Sequence, residues 1–462
     1  MRIGGLAPYW LLTGEPRGGH HRLGSLGTVS RTALLHELVA LLPQPSVVLR
    51  DRGRWIVAAN PDRLVIRRGP DSLDVIDELT SGWWAGWLTY DAGHDVEPVV
   101  ANPARRRPWP GGDETEEADA VWARFPSRVE LPDDGEPVVL GDGESAAYHA
   151  ELIAEAAGRA SRDTAPWRRW SATPPDGDHG AGLLNPSDIT WRSSLSEVDY
   201  GLNVRRILEY IRAGTCYQTN LTRTLWTTDD IDPAAIFHEL LDHHPAQYGS
   251  LIRLDDTTIV SGSPEQLVRQ FGRWIQTRPI KGTDSDPQRL MSSTKDHAEN
   301  VMIVDMARND LGRVSEYGTV RVPSLFALEP HPGLFHLVST VVGETSPGTS
   351  RSDVIRALFP AASITGAPKP RVMQIIEDLE PWKRGVYCGS VGWIDADHDS
   401  MDLSVAIRTF VERDGVLRFG VGGGVVADSR PIAEWQETEL KAARFLDAAR
   451  SARIYGTGRY IS

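Results

Sequence analysis

The sequence predicts an α+β fold built on large, mainly antiparallel sheets. Strand-like runs and helical patterns do not alternate strictly, so a repeated β-α-β order is not implied. Strand-like runs follow one another through short turns near both ends of the chain, at residues 46–57 and 385–427. Helical patterns are few and stand apart, near residues 145–162, 196–214, 295–308 and 434–450. The chain can support such a fold, with 462 residues, 40% hydrophobic and 24% charged, the proportions of an ordinary globular protein.

Up to about residue 100, short strand-like runs alternate with turns. Residues 46–49 and 54–57 flank a turn at 51–53 and read as a hairpin. Residues 82–91 are Gly- and aromatic-rich and also strand-like. Residues 101–117 are rich in Pro, Arg and acids and read as an exposed loop; 163–186, rich in Pro, Gly and Asp, read likewise. Between them, 145–162 is Ala/Glu-rich and helical. Ser196 with Asp199 three residues on is a variant capping box. It opens a helix with Val204, Leu208 and Ile211 on its core face and Gly214 as its stop. A strand over 216–226 follows, with Gln218, Asn220 and Thr222 on one face because strand side chains alternate. Residues 257–260 form another strand, leading into the turn Ser261-Gly262-Ser263-Pro264-Glu265. Residues 385–427 read as successive strands with a turn at Asp414-Gly415.

The net charge of −14 argues against a nucleic-acid partner, which needs a basic face. Two cysteines, Cys216 and Cys388, imply no disulfide framework and fit a reducing cytosol. The first residues carry no apolar signal-peptide core, and no stretch approaches the ~20 apolar residues of a membrane helix. The expectation is a soluble cytoplasmic enzyme.

Four constellations stand out. Asp296 and Glu299 lie three apart on one helical pattern, and Glu434 and Glu437 repeat the spacing with Lys441 beyond. Facing one another, they would make an oxygen-lined site suited to Mg2+; alone, such patterns are usually solvated helix faces. The run Gly420-Val421-Gly422-Gly423-Gly424-Val425 leaves one strand face bare for close ligand approach, or marks a bulge. Arg408 ends the strand-like run 402–408, where Ser404 and Ala406 share its face and leave room beside its carboxylate-matching fork. A two-residue turn at Asp414-Gly415 would put Arg408 and the glycines on opposite faces, and a three-residue loop with a bulge would put them together. Finally, Lys281 stands between Pro279-Ile280 and Gly282-Thr283, on a constrained backbone. A nucleophilic lysine must be neutral, by desolvation or a nearby cation. His336 sits in an apolar run, where a histidine is usually a satisfied core residue.

Taken in order, these segments resemble the chorismate-binding family, whose members include anthranilate synthase component I, aminodeoxychorismate synthase component I, isochorismate synthase and salicylate synthase. The resemblance rests on Cys216-Tyr217-Gln218-Thr219-Asn220-Leu221, Ser263-Pro264-Glu265, Pro279-Ile280-Lys281-Gly282-Thr283, Ala298-Glu299-Asn300 continuing to Arg308-Asn309-Asp310, His336-Leu337-Val338-Ser339, Ser363-Ile364-Thr365-Gly366-Ala367-Pro368-Lys369, and Glu434-Trp435-Gln436-Glu437 with Lys441. It covers roughly residues 194–450 and, more weakly, 82–91. It implies two large antiparallel sheets packed together and flanked by helices. Residues 1–190 would be the N-terminal anthranilate synthase-like region and 191–455 the chorismate-binding catalytic region, together one compact unit.

The resemblance also implies a site. Glu299 and Glu437, with Glu434 in support, would hold Mg2+ against the ring carboxylate of chorismate. Arg408, Tyr387 and the glycine strand at Gly422 and Gly423 would hold the other carboxylate. Thr365 and His336 would line the ring, with Gln218 and Lys441 also at the substrate. Isochorismate and salicylate synthases place a water-activating lysine where Gln218 stands, and an amide lacks useful proton affinity, so water addition is not expected. Anthranilate synthases typically carry Ala where Lys281 stands, so Lys281 marks the aminodeoxychorismate synthase branch. There Glu265 acts as general acid and Lys281 as covalent nucleophile, giving 4-amino-4-deoxychorismate, a precursor of 4-aminobenzoate and folate. A separate glutamine amidotransferase subunit would supply ammonia. The alternatives are anthranilate synthase component I and, from another class, an inactive chorismate-binding regulatory partner. Two departures stand out: Ala361-Ala362 replaces the family's Gly-Gly, and Leu49-Arg50-Asp51 replaces the motif of tryptophan-inhibited relatives. The second implies weak or absent tryptophan feedback.

Overall fold

The computed structural model describes residues 20–22, 29–97, 117–162, 189–331 and 333–456. The loops expected at 101–117 and 163–186 lie almost wholly outside the described residues.

Two antiparallel sheets form the frame, one of 12 strands and one of 10. This is the α+β architecture expected. The hairpin of residues 46–57 is present as Ser46–Asp51 and Arg54–Ala59, with Asp51 opposite Arg54. It joins the first sheet through Leu49 opposite Ser250. The aromatic segment is the strand Trp83–Leu88 in the second sheet. Both sheets therefore take strands from either side of residue 190. Between them lies a core of Val47, Leu49, Ile56, Trp83, Trp87, Val121, Ile252 and Val391. Burial of this apolar surface is what holds the two sheets face to face.

Helices cover the outer faces. Arg31–Leu41, Pro233–His243 and the long C-terminal Pro431–Gly456 pack on the first sheet; Thr294–Gly312 and Arg351–Leu358 pack on the second. Helix starts follow local chemistry. Ser196 Oγ accepts the Asp199 N–H at 3.1 Å, and Ser293 Oγ accepts that of Asp296 at 3.2 Å, each satisfying an orphan first-turn donor. Among the described residues, no helix is long and apolar enough to cross a membrane.

Candidate active site

Two strands cross between the sheets side by side, and the site forms where they cross. Thr257–Ser263 belongs to the first sheet and Gln266–Phe271 to the second, with Pro264 and Glu265 between. Ser400–Val405 belongs to the second sheet and Thr409–Arg413 to the first, with residues 406–408 between. The crossings are stitched together. The Gly262 N–H donates to the Arg408 carbonyl at 2.9 Å, the Val405 N–H to the Glu265 carbonyl at 3.0 Å, and the Ser263 hydroxyl to the Val405 carbonyl at 2.6 Å. The side chains of Glu265 and Arg408 thus emerge together into a cavity of about 620 Å³.

This corrects one expectation. Residues 402–408 are not one strand: it ends at Val405, and Arg408 adopts a left-handed backbone, φ 53°. Ser404 and Ala406 do not share a strand face with it. The register left open is now fixed. Arg413 lies opposite Val416, so Asp414-Gly415 is a two-residue turn with both φ positive. Strict alternation would then put Arg408 and the glycines on opposite faces. The break at 406–408 removes that constraint, and Arg408, Gly420, Gly422 and Gly424 line the same cavity. The Arg408 guanidinium makes no hydrogen bond or ion pair among the described residues.

Lys281 is aimed by a bulge. In the pairing of Ile280–Asp284 with Leu334–Glu344, Ile280 is opposite Val338 and Thr283 opposite His336, so three steps face two. Bulges re-aim side chains in this way. Gly282 carries φ 91°, and a Cβ there would meet Asp296 Cβ and Leu290 Cδ1 at 3.0 Å. Only glycine lets the helix Thr294–Gly312 approach so closely. From that helix, Asn300 Nδ2 donates to the carbonyls of Lys281 at 3.4 Å and Leu337 at 3.2 Å, while its Oδ1 accepts the Ser339 hydroxyl at 2.6 Å. Three sequence motifs are therefore one hydrogen-bonded knot behind Lys281.

The electrostatics suit chemistry. Burial pushes the Glu265 carboxyl up to about 7, against Ser363, Lys281 and Arg408. Burial also pulls the Lys281 ammonium down; Glu299 opposes this and Lys441 adds to it. A cleft holding an acid and an amine shifted towards each other is a functional-site pattern.

Carboxylates from two helices line the same cavity. Glu299 stands 3.7 Å from Lys295, and Glu437 stands 2.7 Å from Lys441. Lys441 also donates to the Gly422 carbonyl at 3.0 Å, and Glu434 accepts the Ser429 hydroxyl at 2.6 Å. Burial raises Glu434, whereas at Glu437 the upward push of burial is outweighed by Lys441. Three carboxylates on two helices offer an all-oxygen set that suits a hard divalent cation. They are not pre-gathered. Among the described residues, the trio whose ligand atoms already lie within 4.8 Å is Asp91, His94 and Glu377, outside this cavity.

Tyr387, His336, Gly422 and Lys441, singled out in the sequence, line the cavity. A Cβ on Gly420 would lie 2.1 Å from the Tyr387 ring, so that glycine seats the tyrosine. His336 Nδ1 pairs with Thr283 Oγ1 at 2.7 Å, and burial with Arg408 pushes the ring down to about 3. Three expected residues are not at the wall. The Thr365 hydroxyl donates to the Ala361 carbonyl at 2.9 Å, and its neighbours Ser363 and Ile364 form the wall instead. Gln218 sits one layer back, its amide against Gly424 and unpaired among the described residues. Gly423 lies behind the cavity-lining acids, its ideal Cβ 3.2 Å from Glu434 Oε2. Sequence reading also missed Lys295, Ser363 and His331. Lys295 was visible as an i,i+4 partner of Glu299, and Ser363 shared a motif with Thr365, but His331 carried no signal.

Comparison with known proteins identifies the family. The family model described as chorismate binding enzyme matches residues 56–447. Aminodeoxychorismate synthase component 1 of Klebsiella aerogenes is 45% identical over 266 residues, 55% of this chain and 59% of that protein. An anthranilate synthase component 1 of Haloarcula marismortui is 34% identical over 387 residues, 79% of this chain and 73% of that protein. The crystal structure of anthranilate synthase component I from Streptococcus pneumoniae superposes with a TM-score of 0.69 at 26% identity, covering 85% of this chain and 92% of that one.

Proposed function

The chain belongs to the chorismate binding enzyme family, and we propose that it is the aminating component of an aminodeoxychorismate synthase. One observation carries the choice: Lys281 and Glu265 line one cavity with Arg408. Arg408 offers a carboxylate a partner it lacks within the protein. Glu299, Glu434 and Glu437 would hold Mg2+, which when bound would supply charge stabilisation at the second carboxylate.

In this reading Glu265 protonates the C4 hydroxyl, which leaves as water. The Lys281 amine attacks C2 as the ring double bonds shift, and its surplus proton returns to Glu265. Ammonia then forms the C4–N bond, the double bonds shift back, and the C2–N bond breaks with its electron pair going to Lys281. One proton passes from the new C4 nitrogen to Lys281. A separate glutamine amidotransferase would deliver the ammonia.

The second reading, anthranilate synthase component I, draws support from a 39% identical relative of that name in Aquifex aeolicus. Incubation with chorismate, Mg2+ and ammonium salt separates the two: fluorescent anthranilate as main product supports the second. Lys281→Ala tests the covalent step. We expect formation of the 4-amino product to fall by about 100-fold or more, the scale of losing an activated nucleophile. Unchanged 4-amino product removes the covalent role.

A further inference from the structure

A second cluster stands apart from the catalytic cavity. The helical turn Tyr90–Asp95 packs against Pro360 and the helix Lys369–Leu379, so closely that a Cβ on Gly93 would lie 2.4 Å from Pro360 Cγ and 3.3 Å from Met373 Cε. Asp91 and His94 from the turn and Glu377 from the helix each bring a ligand atom within 4.8 Å of the others. Asp91 and His94 are buried, 4% and 6% exposed. His94 Nδ1 donates to the Asp91 carbonyl at 2.7 Å. That bond fixes the tautomer and leaves the ring's lone pair on Nε2. Glu377 Oε1 stands 2.8 Å from Nε2. It lies off the direction a hydrogen bond needs, because Nε2 has no hydrogen-bond partner among the described residues. A proton between the two atoms would make the bond that this geometry lacks. Two electron-rich atoms in contact without one repel, unless a cation touches both. Their spacing is that of neighbouring ligands on an ion held at about 2.0–2.2 Å from each.

We infer that Asp91, His94 and Glu377 form a structural site for a divalent transition-metal ion of the Zn2+ class. The site is separate from the Mg2+ acids and independent of the amination reading. Ligand chemistry selects the ion. One imidazole and two carboxylates suit Zn2+, whereas Mg2+ prefers oxygen and keeps its waters. The outer bonds match a ligand set: the His94 ring is oriented by a backbone carbonyl, and Asp91 Oδ2 accepts the Gly385 N–H at 2.9 Å. A carboxylate has lone pairs for that bond and for a metal together. Charge agrees. The cations lining the adjoining cleft are Lys383 and Arg384, and Arg384 is matched by Glu380 at 2.7 Å. Two carboxylates therefore stand against one lysine. A divalent ion is smaller than a water molecule and needs only to lie between the three ligand atoms, so the closure of Nε2 to solvent does not oppose it. The cleft beside Asp91 and Glu377, about 10 Å³, has room for about one water as a fourth ligand. Such an ion would rivet the turn Tyr90–Asp95 to a helix whose chain runs on through Glu380 and Arg384 to Tyr387 in the catalytic cavity.

The test uses the full chain, stripped with a chelator, dialysed, and titrated with zinc chloride in excess Mg2+. Equilibrium dialysis with metal analysis should find one zinc ion bound at Asp91, His94 and Glu377. Zinc at about a hundredfold its dissociation constant should raise the melting midpoint by about 3 °C. His94→Asn keeps a polar group where Nδ1 stands but loses Nε2, and Glu377→Gln loses a charged ligand. Each should weaken zinc binding by about 100-fold or more, beyond the usual cost of losing an outer partner of a ligand. Melting curves without zinc establish that each variant is folded. A wild-type chain that binds no zinc overturns the site. Zinc held equally by the wild type and both folded variants overturns it too, since the ion then sits elsewhere, as on Glu299, Glu434 and Glu437. If His94→Asn does not fold, Glu377→Gln decides alone: lost zinc supports the site and retained zinc overturns it. None of these results bears on the amination reading, which the product assay tests separately.

Discussion

In the proposed reaction Glu265 would serve as an acid only while protonated, and Lys281 as a nucleophile only while neutral. With the Glu265 carboxyl near 7, its protonated form is lost as pH rises through that value. The rate at saturating chorismate should therefore fall above about pH 7 on the alkaline side. Glu265→Gln should lower it by about 10²–10⁴-fold, the usual worth of a positioned general acid, and abolish that limb. A limb near 7 that persists in the variant assigns it to another group. Gly282 gives a second test. Its φ of 91° and the 3.0 Å contacts awaiting a Cβ make Gly282→Ala costly, by about 1–3 kcal/mol in denaturant unfolding. Turnover should fall as well, because the substitution distorts the bulge that aims Lys281.

The knot behind Lys281 belongs to whole elements. Asn300 joins the helix Thr294–Gly312 to two strands through three hydrogen bonds. Asn300→Ala leaves the Ser339 hydroxyl and two carbonyls short of partners, a cost of about 1–3 kcal/mol. Since it displaces the lysine rather than the carboxylate-binding groups, kcat should drop more than KM for chorismate rises. A second inter-helix contact sets the response to acid. His36 and His238 meet at 2.6 Å between Arg31–Leu41 and Pro233–His243, and His36 Nε2 reaches Asp242 at 2.8 Å. Burial, with His36 and Arg253, pushes His238 down to about 3 from 6.5. The unfolded chain then binds that proton first, so stability present above 6.5 is lost as pH falls towards 3. The slope is about 1.4 kcal/mol per pH unit for each such ring, and His336 adds a second. Urea midpoints at pH 7, 5 and 4 should fall in that order. Elements of this kind were legible where the signal is local. The N-cap at Ser196 and the turn at Asp414-Gly415 were read correctly, although Asp199 accepts the Ser196 hydroxyl rather than closing a capping box on its N–H, and the helix expected at 295–308 runs from Thr294 to Gly312. Its ends are set by packing, which a local pattern does not carry. The crossover at 406–408 was missed because apolar alternation continues straight through it, and a left-handed arginine leaves no trace in sequence.

At the scale of the molecule, the ordered motifs disclosed the cavity because the fold returns them all to one place. The sheet partners were less legible. Leu49 pairs with Ser250, some two hundred residues away, and no periodicity reports so distant a neighbour. The −14 net charge is likewise reconciled only in three dimensions, where the basic side chains Lys281, Lys295, Arg408, Lys441 and Arg444 line one cavity beside the acidic Glu265, Asp296, Glu299, Glu434 and Glu437. The strand Ser46–Asp51 shows what the inter-sheet space can hold. Asp51 is buried, 2.8 Å from Arg54 and 3.7 Å from Arg269. The void between Leu49-Arg50-Asp51 and Val391-Gly392-Trp393 is about 10 Å³, room for about one water. An indole side chain would have to part the sheets and break a buried ion pair, and an uncompensated buried charge is expensive. Tryptophan should therefore inhibit weakly or not at all. Initial rates of chorismate consumption with and without millimolar tryptophan check this. Tight inhibition at micromolar concentration would show that the sheets open there, and the void would then have to be read as a closed form of a regulatory site.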